Sequence, residues 1–295
     1  MNVILIPFFL AANVVVNDTS EWTYGPEYSY DVNITYDIIN MIKREPYEPI
    51  HKIQLISTVK CRPKMPDSIF CHLNNFTESE LFENHNMTRE AQTEQIFEIK
   101  FNERGVEGLV IEPPSRMEVV NVLRKIATQF NVVVDQRKIG MSQFMARENS
   151  SMGNCAAAYR ITRDELRTDP LEEDTDFRLV ILPLTDAKPG TTLSIVKSRM
   201  GCINPPRYVD FSRGILEMRR FVSKIQINSR KFETFTEFNG NVRFIESEIG
   251  TLLFKEIIQI NLKSIEPAQN ELPTLSYGEL IDLNTNNDIP SNFIN

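Results

Sequence analysis

The chain has 295 residues, 41% of them hydrophobic and 24% charged, which excludes a disordered chain and allows one large core or two smaller ones. Its formal net charge of −8 argues against the whole chain acting as a nucleic-acid binder, while leaving room for a local basic patch.

An apolar run from Val3 to Val16 opens the chain. It is too short to span a bilayer comfortably and suits a signal-peptide core, with Ala11 and Ala12 as small residues near a cleavage point. Residues 1–16 are therefore expected to be a signal peptide, and a buried N-terminal strand is the alternative. Five N-glycosylation acceptors at Asn17, Asn33, Asn75, Asn86 and Asn149 fit a secreted chain. The four cysteines, Cys61, Cys71, Cys155 and Cys202, have no metal-ligand spacing and are free to pair in an oxidising compartment.

The first clear element is "EYSYDVNITYDII". Tyr28, Tyr30, Val32, Ile34, Tyr36 and Ile38 alternate with small or polar residues, which predicts a half-buried strand with Asn33 on its outer face. "HKIQLISTVKCRPKMPDSIFCHLNNFT" reads as a hairpin turning at its two prolines and Asp67. Cys61 and Cys71 flank that turn and are expected to bridge it; two free core thiols are the alternative. Residues 76–94 are polar and are expected to form a surface loop or short helix. "QIFEIKFNERGVEGLVIEP" is a second hairpin, turning at Asn102 to Gly105.

"PPSRMEVVNVLRKIATQF" is the one convincing helix. Prolines and Ser115 stand at its start, and Val119, Leu123, Ile126 and Phe130 fall at helical spacing. Val120, Val122 and Ala127 widen the stripe so far that the helix must be surrounded, and in a β-rich chain the simplest host is a curled sheet. Residues 140–153 read as loop, and a strand begins at Cys155. The acidic run from Asp164 to Asp176 lacks the ordered spacing of a calcium loop and reads as a solvated loop. Strands and strand pairs follow from Phe177 to Ile265, and residues 274–295 are expected to form a flexible tail. The expected architecture is mainly β, about ten strands curled as an antiparallel barrel-like sheet around one long helix.

No catalytic constellation is present: there is no nucleophile elbow, no zinc-binding helix motif and no phosphate-cradling glycine loop. The chain is expected to be neither an enzyme nor a metal or cofactor binder. Against the acidic background, Arg213, Arg219, Arg220, Lys224, Arg230 and Lys231 form a basic stretch, and Lys60, Arg62 and Lys64 form a second. Both read either as ordinary strand surface that discourages edge pairing or as a basic face for an acidic protein or anionic head groups.

"EWTYGPEYSYDVNI" resembles the start of the mature vitellogenins, and "FEIKFNERGVEGLVIEPPSRMEVVNVLRKIATQFNVVV" resembles their N-terminal hairpin and helix. "MGNCAAAYRI" and "SRMGCINPPRYVDFS" look like the two half-sites of that family's N-terminal disulfide, and "IESEIGTLLFKEIIQINL" is similar to its last barrel strands. The resemblance runs roughly from Glu21 to Pro273 and implies an N-sheet barrel over residues 21–273 with a Cys155–Cys202 disulfide. Met117 stands where the family usually has Trp. Vitellogenins continue into a helical horseshoe and further sheets, so this chain is expected to lack the lipid-cavity domains or to be a fragment of a full-length vitellogenin.

What the resemblance implies is a secreted, glycosylated protein of the lipid transporter family, a yolk or haemolymph lipoprotein component and storage protein. The alternative is a non-transporting module that binds a receptor or ligand. The expected partners are an acidic lipoprotein-receptor-type ectodomain or other large lipid transfer protein subunits. Lipid is a further possible partner, while neither nucleic acid nor integral membrane insertion is expected. Arg219, Arg220, Lys224, Lys60, Arg62 and Lys64 are the candidate receptor-binding residues.

Overall fold

The computed structural model describes residues 2–5, 7, 9–15, 19–40, 51–82, 85–91, 94–112, 117–133, 141–165, 177–181, 191–203, 214–244, 251–275 and 278–283. Most of them are strands, because alternation of apolar and polar side chains runs through nearly every segment. In chain order these are β1 (Asn2–Leu5), β2 (Leu10–Val14), β3 (Pro26–Asn40), β4 (His51–Lys64), β5 (Ser68–Phe82), β6 (His85–Ala91), β7 (Gln95–Asn102) and β8 (Gly105–Ile111). After the helix α1 (Met117–Gln129) come β9 (Gln143–Ser150), β10 (Gly153–Glu165), β11 (Phe177–Ile181), β12 (Thr191–Ile203), β13 (Gly214–Ile227), β14 (Phe232–Phe244), β15 (Thr251–Pro267) and β16 (Glu279–Ile281).

One antiparallel sheet of 13 strands dominates, in the order β16-β8-β7-β5-β4-β3-β15-β14-β13-β12-β10-β9, with β6 added on β5. Its centre is the long ladder of β3 on β15, which pairs Ile34 with Ile258 and Val32 with Ile260. The inner face of β3 is the one alternation predicts: Tyr28, Tyr30, Val32, Ile34 and Ile38 are buried, and Tyr36 is half-buried. A three-stranded sheet, β1-β2-β11, lies beside it. The apolar run expected to be a signal-peptide core is folded here as β1 and β2, with Leu10, Ala11 and Ala12 fully buried.

α1 lies against the inner face. Leu123, Ile126 and Ala127 are 0% exposed and Phe130 1%, the i, i+3, i+4, i+7 set of an amphipathic helix. Phe130 stacks on Phe232 with centroids 6.0 Å apart and meets Tyr30 edge-on at 5.3 Å. Burying such a side chain contributes roughly 2 kcal/mol, so the contacts from helix to sheet are a main stabilising term. The helix also buries polar groups, each with a partner: Gln129 Oε1 accepts from Thr234 and Thr236, and Arg124 Nε donates to the Asp282 carbonyl at 2.9 Å. The enclosed helix is thus as the sequence requires.

Four expectations differ. The sheet is not a closed barrel: among the described residues no ladder joins β8 to β9, although their Cα atoms approach within 8 Å. Curvature brings β8, the strand next to the end strand β16, towards β9, but no strand register links the two. Residues 76–94, expected to be loop or short helix, extend β5 to Phe82 and add β6; residues 140–153 contain β9. In both stretches polar residues fall on either parity, which hides a strand from pattern reading. The tail contributes β16, and Leu283 is 0% exposed against the core. The rest of the acidic run, beyond Glu165, lies outside the described residues.

Candidate functional site

β13 turns alternate side chains inward and outward, and Phe221, Ser223, Ile225 and Ile227 are buried. The opposite parity puts Lys224 and Arg220 on the outer face, and Arg219 at the bulge between Met218 and Arg220 is exposed as well. Register extends this face across neighbouring strands. Arg160 on β10 pairs with Val196 on β12, and Val196 pairs with Lys224, so two cations flank one valine in a row. Arg147 on β9 lies opposite Ala156, and Ala156 lies opposite Met200. Met145 and Met200 are exposed on the same face, at 53% and 50%. The outer face of β9, β10, β12 and β13 is therefore basic with methionine interleaved. Arg220 approaches Glu237 at 3.9 Å with the Arg side chain 60% exposed, a pair that leaves the guanidinium accessible.

The second basic cluster is different. Lys60 pairs with Glu27 at 3.0 Å, and Lys64 pairs with Glu98 at 2.6 Å. Arg62 is 8% exposed and donates to the carbonyls of Tyr24 at 2.7 Å and Glu271 at 3.2 Å. Its neighbours Cys61 and Cys71 face the core, so Arg62 has the outward parity, yet the 24 and 271 backbones cover it. Burial pushes its pKa down, and Glu27 opposes that. Of the two basic stretches expected as receptor-binding candidates, the one at 60–64 has each of its charges engaged within the chain. β4 also lies four strands from β13 in the sheet, about 19 Å at the usual strand spacing. Arg147 and Arg160 were missed by sequence reading because only register shows that they join Lys224.

Behind this face lies a buried charged cluster. Glu148 on β9 meets Arg199 Nε at 2.5 Å and Lys197 Nζ at 3.5 Å, and Tyr159 on β10 donates to its Oε2 at 2.5 Å. Arg199 Nη1 donates to Ser223 Oγ at 2.6 Å, and Thr236 links Ser223 to Gln129 of α1. Burial alone pushes the Glu148 pKa up, but Arg199 and Lys197 outweigh it and hold the carboxyl below its usual range. Burial pushes Lys197 down to about 7, with Glu148 opposing and Arg199 adding to the shift. A separate pair joins Lys125 of α1 to Glu256 of β15 at 2.7 Å and to Tyr36 Oη at 2.8 Å. Burial lowers the Lys125 pKa, but Glu256 and Tyr36 outweigh it, and the net direction is upward.

Both expected disulfides are formed. Cys61–Cys71 bridges register partners of the β4–β5 hairpin, and Cys155–Cys202 joins β10 to β12 beside a register shift. Of the sequons, Asn33 is on the outer face of β3 and accepts from Gln54 at 3.1 Å. Asn149 lies on β9 and accepts from Asn154 at 2.9 Å; Asn75 and Asn86 lie on β5 and β6. Asn17, Arg213 and the first sixteen residues' last member, Val16, lie outside the described residues. No helix among the described residues is long and apolar enough to cross a membrane.

No family model matches the sequence, and no curated protein matches it. Among solved structures, one of lipovitellin, described for its lipid–protein interactions, aligns with a TM-score of 0.62 at 11% sequence identity. The alignment covers 92% of this chain and 28% of the lipovitellin chain. At that identity the likeness is one of fold, and it holds across nearly all the elements described above. The chain has a lipovitellin-like fold.

Proposed function

We propose that this chain is the sheet module of a secreted, vitellogenin-like protein of the lipid transporter family. Within that role its work is recognition of an acidic partner rather than storage of bulk lipid. The observation that carries this reading is the packing of α1: Leu123, Ile126, Ala127 and Phe130 fill the concave side of the sheet against Tyr30 and Phe232, in the space a lipid load would need. Two disulfides and the outward-facing sequon at Asn33 support an extracellular setting. The basic outer face of β13 with Arg160 supports an acidic protein partner, such as a receptor ectodomain, because charge complementarity speeds encounter and fixes register.

The test is binding of the purified protein to an acidic lipoprotein-receptor-type ectodomain. Reversing Arg219, Arg220 and Lys224 to Glu is expected to weaken binding roughly tenfold or more at low salt, and less at high salt where screening is strong. Reversing Lys60 and Lys64 is expected to change affinity far less. Equal affinity of the β13 variant and the unmodified protein removes the receptor reading.

A further inference from the structure

β8, which carries β16 only along Leu109–Ile111, meets the end strand β9 without a ladder, and the side chain of Asn131 bridges the two. Asn131, the second residue after α1, is 0% exposed. Its Oδ1 accepts from the Val106 N–H of β8 at 2.9 Å, and its Nδ2 donates to the Asn149 carbonyl of β9 at 3.1 Å. The amide thus does for β8 and β9 what strand hydrogen bonds do elsewhere in the sheet. Gly105 makes room for it: its φ is +99°, and a Cβ there would collide with Asn131 Oδ1.

Asn131 is held in turn by the charged cluster. Lys197 Nζ donates to its backbone carbonyl, and Tyr159 Oη accepts from the Val133 N–H at 3.3 Å while donating to Glu148. The segment after the helix is therefore pinned from β8, β9, β10 and β12 at once. Among the described residues, Lys197 is faced by Glu148 from β9, Tyr159 from β10, Arg199 on its own strand, the Asn131 carbonyl after α1, and Ser223 from β13 behind Arg199. When Lys197 is protonated, two cations share one carboxylate in a buried space, and Arg199 Nη2 has no hydrogen-bond partner among the described residues. Such a cluster is costly to keep dry.

We propose that the β8/β9 seam is a built-in opening point of the sheet, latched by Asn131 and strained by the surplus buried cation behind it. Opening withdraws Asn131 from Val106 and Asn149, admits water to Lys197, and bares the apolar end of the helix at Phe130 and Val132. The centre of the sheet, β3 on β15, stays paired.

The linkage sign follows from protons bound. Lys197 has its pKa near 7 when the seam is closed and its ordinary value of 10.5 when hydrated, so the open form binds more protons between those values. Closure therefore strengthens as pH rises from 7, by up to tenfold per pH unit in the opening equilibrium, and is flat below 7. Glu148 acts in the acid range, and Tyr159 acts only near and above pH 10.

Amide hydrogen exchange of the 295-residue protein, corrected for intrinsic rates, reads this directly at Val106 and Val133. Their protection is expected to rise by up to tenfold per unit from pH 7 to 9, while β3 and β15 amides show no such slope. Lys197→Met is expected to abolish the slope and raise protection at pH 7. Asn131→Ala is expected to lower Val106 protection by at least tenfold and leave β3 and β15 unchanged. Loss of protection in β3 and β15 alongside Val106 would mean global unfolding and overturn the proposal. So would a slope that survives Lys197→Met, a variant in which removing the buried charge favours folding.

Discussion

At the scale of single residues, what matters is whether a charge has a partner and whether water reaches it. Lys125 and Glu256 form a pair whose side chains are 14% and 9% exposed. Glu217 and Arg243 form a pair at 3.5 Å whose side chains are 54% and 60% exposed. Glu256→Gln leaves the Lys125 ammonium without its countercharge in a dry site and is expected to cost about 3 kcal/mol in a denaturant titration. Glu217→Gln is expected to cost well under 1 kcal/mol. Equal shifts in midpoint for the two variants would mean that burial does not govern these pairs. The buried cations were partly legible: in "TLSIVKSR" Lys197 and Arg199 share the parity of Leu193 and Ile195, which are buried. Arg62 was not legible, since its cover comes from residues near 24 and 271, far away in sequence.

At the scale of elements, the helix and the clearly alternating strands are where local pattern and tertiary role agree. α1 ends at Gln129, and its last turn tightens through Phe130 N–H to the Ala127 carbonyl at 3.0 Å, which delivers Asn131 to the seam. β9 and the far half of β5 carried no such pattern, because polar residues occupy both parities along them. The disulfides act at this scale too. Cys155–Cys202 closes a loop with a separation of 47 residues, and Cys61–Cys71 one of 10. On loop-closure entropy these stabilise by about 4 and about 3 kcal/mol respectively. Replacing Cys155 and Cys202 by Ala is therefore expected to lower the denaturation midpoint more than replacing Cys61 and Cys71. The reverse order would show that the hairpin bridge constrains more than its own short loop.

At the scale of the whole molecule, the fold is a sheet bent around its own helix, and that arrangement was readable from the width of the helix's apolar stripe. Closure was not readable, because it depends on how the two ends meet and no local residue pattern encodes that. The likeness to lipovitellin is one of fold, and the concave side of this sheet is already occupied by its own helix. For the recognition role proposed above, the relevant surface is the outer face, where Arg160, Lys224, Arg219 and Arg220 stand on a chain of net charge −8. The most direct test of the filled interior is the lipid content of the 295-residue chain, purified without detergent and extracted with organic solvent. The account predicts no stoichiometric lipid. Several lipid molecules co-purifying with each chain would contradict it.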